Sequence, residues 1–280
     1  MEREIINRKI SAFYFSATGT TKKTTEKLAL EISAVGGQNL WEIIDFTLPE
    51  ARKKQYSFTE DDIVVVGVPV IAGRVPNVLL KFLNTVKGNG ATAVAIVMYG
   101  NRNYDDALKE LWDILEEDGF NVICGCAFIG EHSFSDTLAM NRPDEEDLNT
   151  AADFAAKIIK IINEEPKINA ANGYKVIEKV YRDYYKPKDR EGNPVDFRKI
   201  TPKTGDACTD CKICAEVCPM GSIDYDNVST LNGICIKCCA CIKKCPVHAK
   251  YFDDENFMKH KRELEEENEA RKLPELFLIM

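Results

Sequence analysis

Eight cysteines fall into two copies of one spacing, Cys208-x2-Cys211-x2-Cys214-x3-Cys218-Pro219 and Cys235-x2-Cys238-x2-Cys241-x3-Cys245-Pro246. Soft thiolate sulfur stabilises iron in a compact, charge-delocalised core, so the chemistry this pattern suits is iron–sulfur ligation. Three cysteines spaced by two residues converge from one tight loop onto three irons of a cubane, and the fourth ligand must arrive from elsewhere. In the bacterial run of this type the fourth cysteine serves the other cluster. That rule assigns Cys208, Cys211, Cys214 and Cys245 to one [4Fe–4S] cluster, and Cys235, Cys238, Cys241 and Cys218 to a second. Pro219 and Pro246 remove a backbone donor and fix the turn after each fourth ligand. Ile213, Ala215, Ile236 and Ala240 are small or apolar and let the backbone approach. Structural zinc also uses thiolates, but its frameworks come as separated CxxC pairs rather than triplets with a remote fourth ligand. Cys239 fits neither register and reads as a non-ligand.

A second candidate site lies near the start of the chain. Ser16-Ala17-Thr18-Gly19-Thr20-Thr21 leads from an apolar run directly into a helical pattern. A phosphate there meets backbone N–H groups at the positive end of the helix dipole. Hydroxyls of Ser16, Thr18, Thr20 and Thr21 add donors, and Gly19 permits close approach. A Ser/Thr cluster is also an ordinary helix cap, so its place at the end of a first strand is what gives it weight. No Walker lysine and no G-x-G-x-x-G fingerprint follow, which argues against nucleoside triphosphates and dinucleotides.

The elements that must position these residues divide the chain. Strand-like runs occur at Lys9 to Phe15, Leu40 to Ile44, Ile63 to Val68, Ala93 to Met98 and Asn121 to Ile129. Several are almost continuously apolar, as strands buried on both faces of a parallel sheet must be. Helical patterns lie between or after them at Thr20 to Ala34, Pro76 to Val86, Tyr104 to Asp118 and Glu145 to Ile162. The expectation is an α/β, doubly wound, five-stranded parallel sheet over 1–165. A charged, proline-bearing linker follows over 166–204, with one short helix at Tyr174 to Tyr184. The cysteine-rich module spans 205–253, and a charged helix and apolar tail fill 254–280. The tail, Leu273 to Met280, is expected to dock on its own protein. Cys124 and Cys126 alternate on one strand and read as buried packing.

The phosphate loop resembles the [ST]-x-T-G-x-T loop of flavodoxins, with Ser16, Thr18, Gly19 and Thr21 on the matching positions. The cysteine segment resembles the two-cluster bacterial ferredoxins, including the continuations Met220-Gly221-Ser222-Ile223 and Val247-His248-Ala249. Together the chain resembles the flavodoxin–ferredoxin fusion family of anaerobic bacteria and archaea over nearly its full length. That resemblance implies a flavodoxin-like domain binding FMN and a small α+β ferredoxin-like domain with two [4Fe–4S] clusters. In the flavodoxin-like strand order the ligand sits beyond the carboxyl ends of the strands, between the first and third. The loops after strands three and four would complete the site, with Pro69, Val70, Ala72 and Gly73 from one and Tyr99, Gly100, Asn101, Arg102, Asn103 and Tyr104 from the other. Tyr104 would stack on the flavin. Arg74 reads equally as a flavin contact or a solvated charge, and His132 as a polar rim residue.

Composition fits this reading. The formal net charge of −8 argues against a nucleic-acid binder and suits docking on basic redox partner proteins. Nine of the 11 cysteines lie between Cys208 and Cys245 in a chain without a signal-peptide pattern, which favours metal ligation in a reducing cytoplasm over disulfides. No run reaches the roughly 20 apolar residues of a membrane span. The expected role is an electron carrier in anaerobic metabolism that joins one- and two-electron partners. The alternatives are a flavin-dependent reductase of a small acceptor, fed by its own clusters, and a zinc-bearing binding module. A homodimer in which one chain's clusters meet another chain's flavin is compatible with the sequence.

Overall fold

The computed structural model describes residues 8–37, 41–163, 180–189 and 191–278. Five strands, β1 (Lys9–Tyr14), β2 (Trp41–Asp45), β3 (Asp62–Pro69), β4 (Thr92–Tyr99) and β5 (Asn121–Ile129), lie parallel in the order β2-β1-β3-β4-β5. This is the flavodoxin-like order of a doubly wound sheet. Apolar side chains alternate between its faces, as a period of two requires. Phe13, Val64, Val66 and Val68 face α2 (Asn77–Leu83) and α3 (Ala107–Glu117). Ile10, Ala12, Tyr14, Ile63, Val65 and Ile96 face α1 (Thr20–Val35) and α4 (Glu145–Asn163). The register of β5 shifts against β4 between Ala93 and Val94, beside Ile123. Past it, Cys124 and Cys126 are both fully buried in the second core, as packing residues.

The cysteine-rich module is closed by a two-stranded antiparallel pair, β6 (Lys203–Thr204) with β7 (Lys250–Tyr251), around the short helices α5 (Ile213–Glu216) and α6 (Ala240–Lys243). Helix α7 (Glu255–Glu267) follows, its N-terminus capped by the Asp254 carboxylate, which accepts from the N–H groups of Asn256 and Phe257 at 3.0 Å.

Four expectations need correction. The main sheet has six strands, because β8 (Glu275–Leu278) from the apolar tail pairs antiparallel with β5, Leu276 opposite Cys126 and Leu278 opposite Cys124. Four residues can join a sheet whose edge already offers a complete row of unpaired groups. The expected linker helix falls partly outside the described residues, and its remainder, 180–184, is not helical. Nor is this linker merely solvated. Tyr181 donates to Asp113, Tyr184 to the Val75 carbonyl at 3.0 Å, and the Tyr185 N–H to the Ala72 carbonyl at 2.9 Å. Helix α3 starts at Ala107 rather than Tyr104, since Asn101 and Asp105 sit at φ 63° and 46° and break the helical path.

Candidate functional site

A cavity of about 250 Å³ opens at the carboxyl ends of β1, β3, β4 and β5. The loop after β1 supplies Ala17, Thr18, Thr20 and Thr21 to its wall. Gly19 takes φ 100°, a conformation that favours glycine, and nothing lies within 4 Å of where its Cβ would be. The loop is braced from behind. The Ser16 hydroxyl accepts from the Lys22 N–H at 2.9 Å, and the Ser16 N–H donates to the Thr47 hydroxyl at 2.7 Å. Gly19 is the N-cap of α1 without a side-chain cap, so the first N–H groups of a 16-residue helix face this loop.

The loops after β3 and β4 add Pro69, Val70, Ala72 and Gly73 on one side and Tyr99, Gly100, Arg102 and Asn103 on the other. Gly100 is required by its neighbour: a Cβ there would come within 2.4 Å of the His132 ring. Two residues expected in the site lie elsewhere. Asn101 is buried and donates its side-chain amide to the carbonyls of Asn268 and Ala270 at 2.6 and 2.9 Å, tying down the segment before β8. Tyr104 turns outward into a separate groove with Trp112 and Phe277, and its hydroxyl donates to Glu275 at 3.1 Å. Ser16 and Gly19 support the loop without lining the cavity. Arg74 is neither a cavity contact nor a solvated charge. It pairs bidentately with buried Glu110 at 2.8 and 2.6 Å, under the rings of Tyr181 and Tyr184.

The remaining walls come from parts of the chain that the sequence reading left out of the site. Tyr185 and Pro187 of the linker, Phe197, and His260 and Leu264 of α7 form a roof. Phe257, His260 and Leu264 are the buried stripe of an otherwise charged helix, a spacing visible in the sequence. His260 stacks on Tyr185 with ring centroids 5.7 Å apart, and the Arg102 guanidinium also lies over the Tyr185 ring, 4.6 Å from its centroid.

The electrostatics of the cavity are muted except at Lys237, whose ammonium donates to the carbonyls of Cys235 and Arg198 at 2.7 and 3.3 Å. Burial, with help from His260, Lys243 and Arg102, pushes His132 down to about 4. Burial likewise pushes His260 down to about 4, with Arg102 and Lys259 acting in the same direction against Glu263. Burial and the charge of Glu275 raise Tyr99 to about 12. Both imidazoles and the phenol are therefore neutral near pH 7, and Arg102 is neutralised by an ion pair with Asp105. The His132 Nδ1 accepts from the Phe134 N–H at 3.2 Å, which leaves the proton of the neutral ring on Nε2. Such a site suits a flat, largely uncharged ring better than proton-transfer chemistry.

The cysteines form two separate groups. Cys208, Cys211, Cys214 and Cys245 border one void, together with Ile213, Val228 and Ala249. Cys218, Cys235, Cys238 and Cys241 border another, with Ile223, Leu231 and Ile236, and the extra thiol residue Cys239 borders it too. In each, Cys239 aside, three cysteines come from one motif and the fourth from the other. The two motifs also share a backbone path. Asp210 and Lys212 take φ 56° and 65°, and Lys237 and Cys239 take 55° and 59° at the same positions of the second copy. Gly221 and His248 repeat the match at 57° and 50°. The Ser222 N–H reaches the Cys218 sulfur at 3.4 Å, and the Ala249 N–H the Cys245 sulfur at 3.2 Å. Cys239 thus holds the position of Lys212, the N-cap of α6, with its thiol toward the Lys237 carbonyl at 3.6 Å. Burial raises Cys238 and Cys241 to about 12, so thiolates there require a compensating positive centre. Among the described residues no three or more His, Cys, Asp or Glu converge on a single-ion site. A cubane asks for something different, because each of its thiolates bonds a different iron.

No family model matches the chain, and no curated protein matches it. Solved structures do. A flavodoxin from the domain Archaea is 17% identical, over 55% of this chain and 98% of its own, with a TM-score of 0.39. Flavodoxin 2 from Bacillus cereus is 14% identical over 55% of this chain and 98% of its own, with a TM-score of 0.39. Rubredoxin oxygen:oxidoreductase from the anaerobe Desulfovibrio gigas is 18% identical over 57% of this chain and 37% of its own, with a TM-score of 0.38.

Proposed function

We propose that the chain is an electron-transfer flavoprotein that binds FMN in the cavity and carries two [4Fe–4S] clusters, one per cysteine quartet. The observation that carries this reading is the exchange of fourth cysteines, Cys245 grouped with the first triplet and Cys218 with the second, around two separate voids. The residues present fit both groups. Thr18, Thr20 and Thr21, with the first N–H groups of α1, would hold the FMN phosphate. Val70, Ala72, Gly73, Tyr99 and Gly100 would flank the isoalloxazine ring, with His260 and Tyr185 above it. When bound, FMN supplies exchange of two electrons one at a time, and each cluster supplies exchange of one.

The chain's own residues exclude water and hold the ring. Tyr185, Phe197, His260 and Leu264 give the cavity a largely aromatic and apolar wall, and neither histidine is charged to donate a proton near neutral pH. Both features favour a carrier over a reductase of small acceptors. The net charge of −8 favours partners with basic faces. No helix among the described residues is long and apolar enough to cross a membrane.

Anaerobic purification with iron, sulfide and flavin assays tests the reading. It predicts about eight iron, about eight acid-labile sulfide and about one FMN per chain. Folded protein holding zinc without iron, or no flavin, overturns it.

A further inference from the structure

The cavity and one of the two cysteine quartets share a wall. Ile236, Lys237 and Cys238 border the cavity and also border the void of Cys218, Cys235, Cys238 and Cys241. The void of Cys208, Cys211, Cys214 and Cys245 shares no described residue with the cavity. The contacts that fix the cysteine module on the sheet domain flank the same second quartet. Arg52 donates to the Pro219 carbonyl, next to Cys218. Lys243, two residues beyond Cys241, pairs with Glu131 and Asp136 at 2.8 and 2.9 Å. Ala240, Ile236 and Cys238 pack on the sheet core that contains Phe15 and Tyr99. In the first quartet, Cys211 is exposed, and among the described residues Lys212 bonds within the module, to Asp210 at 2.9 Å and the Asp226 carbonyl at 3.1 Å.

Electron exchange between buried centres falls off steeply with separation, so a shared wall decides which centre exchanges first. We infer that, on the FMN and cluster reading above, Cys218, Cys235, Cys238 and Cys241 hold the flavin's redox neighbour within the same chain. The quartet with exposed Cys211 is then the outer terminus that meets the partner protein. Each crossing of the shared wall oxidises one centre by a single electron and reduces the other by a single electron. Protons for full flavin reduction come from solvent.

The test uses the full chain, purified anaerobically with its cofactors, as wild type, Cys235→Ala and Cys211→Ala, with iron, sulfide and FMN counted in each. A neighbouring cluster quenches flavin emission. Cys235→Ala is expected to brighten FMN several-fold and lengthen its fluorescence lifetime, while Cys211→Ala leaves both at the wild-type value. Brightening in Cys211→Ala instead, or equally in both variants, overturns the order. The unsubstituted protein gives a second reading that does not depend on variants folding. After a pulse of a one-electron reductant such as dithionite, the flavin band should bleach at a rate unchanged across a dilution series, whereas a rate that falls with dilution overturns the single-chain coupling. Wild-type protein lacking iron or FMN overturns the functional reading itself, whereas full cofactor content with the wrong emission pattern overturns only the order.

Discussion

His132 and His260 face one cavity, and burial holds both neutral by lowering them to about 4 from an ordinary value of 6.5. A group whose folded pKa is depressed binds fewer protons in the folded chain than in the unfolded one between those two values. Stability is therefore full above about pH 6.5 and is lost as pH falls toward about 4. The melting temperature should drop between about pH 7 and about pH 5, and His260→Phe, which keeps the packing against Tyr185, Phe197 and Phe134, should flatten that drop. An unchanged slope in that variant contradicts the assignment. Thr18 makes the complementary case for charge. It lines the cavity beside the N-terminus of α1, so Thr18→Glu sets a carboxylate against the proposed phosphate. FMN affinity should fall by about tenfold or more, equivalent to about 1.4 kcal/mol, in a fluorescence titration. Unchanged affinity would place the phosphate elsewhere.

Elements differ in how much of their placement is written locally. β3, β4 and β5 are legible because continuous apolar runs have only one comfortable environment, a sheet covered on both faces. α7 is legible as a helix, but its role over the cavity depends on a stripe of only Phe257, His260 and Leu264 within a charged sequence. β8 was readable as an apolar tail that docks, yet not as a strand, because its pairing partner lies some 150 residues away and only the edge of β5 selects it. The loop after β4 shows the limit most clearly. The family resemblance offered six residues to the cavity, but positive φ at Asn101 and Asp105 turns the chain so that Asn101 points to the C-terminal segment and Tyr104 to an outer groove. That clamp is testable. Asn101→Ala leaves the carbonyls of Asn268 and Ala270 without their buried donor, which should cost about 1–3 kcal/mol in urea unfolding. A change within error would mean the clamp contributes nothing to stability.

For the whole molecule, the sheet domain and the cysteine-rich segment are not independent as neighbours. The tail adds a strand to the first sheet, the linker docks on α3 and on the loop after β3, and α7, which follows the cysteine module in sequence, lines the cavity. The cysteine spacing was legible because it is a local property of one loop, and the packing of the two loops as a pair sets Cys245 beside the first triplet and Cys218 beside the second. The orientation of the module was not legible, since it rests on contacts such as Lys243 with Glu131 and Arg52 with the Pro219 carbonyl, whose partners share no motif. The most direct measurement is a combined visible and EPR redox titration of the anaerobically purified chain. The account predicts a flavin band that bleaches with two electrons and cluster signals that account for two more, about four electrons per chain in all. A chain that binds flavin but takes up only two electrons with no cluster signal, or one that shows neither band, would contradict it.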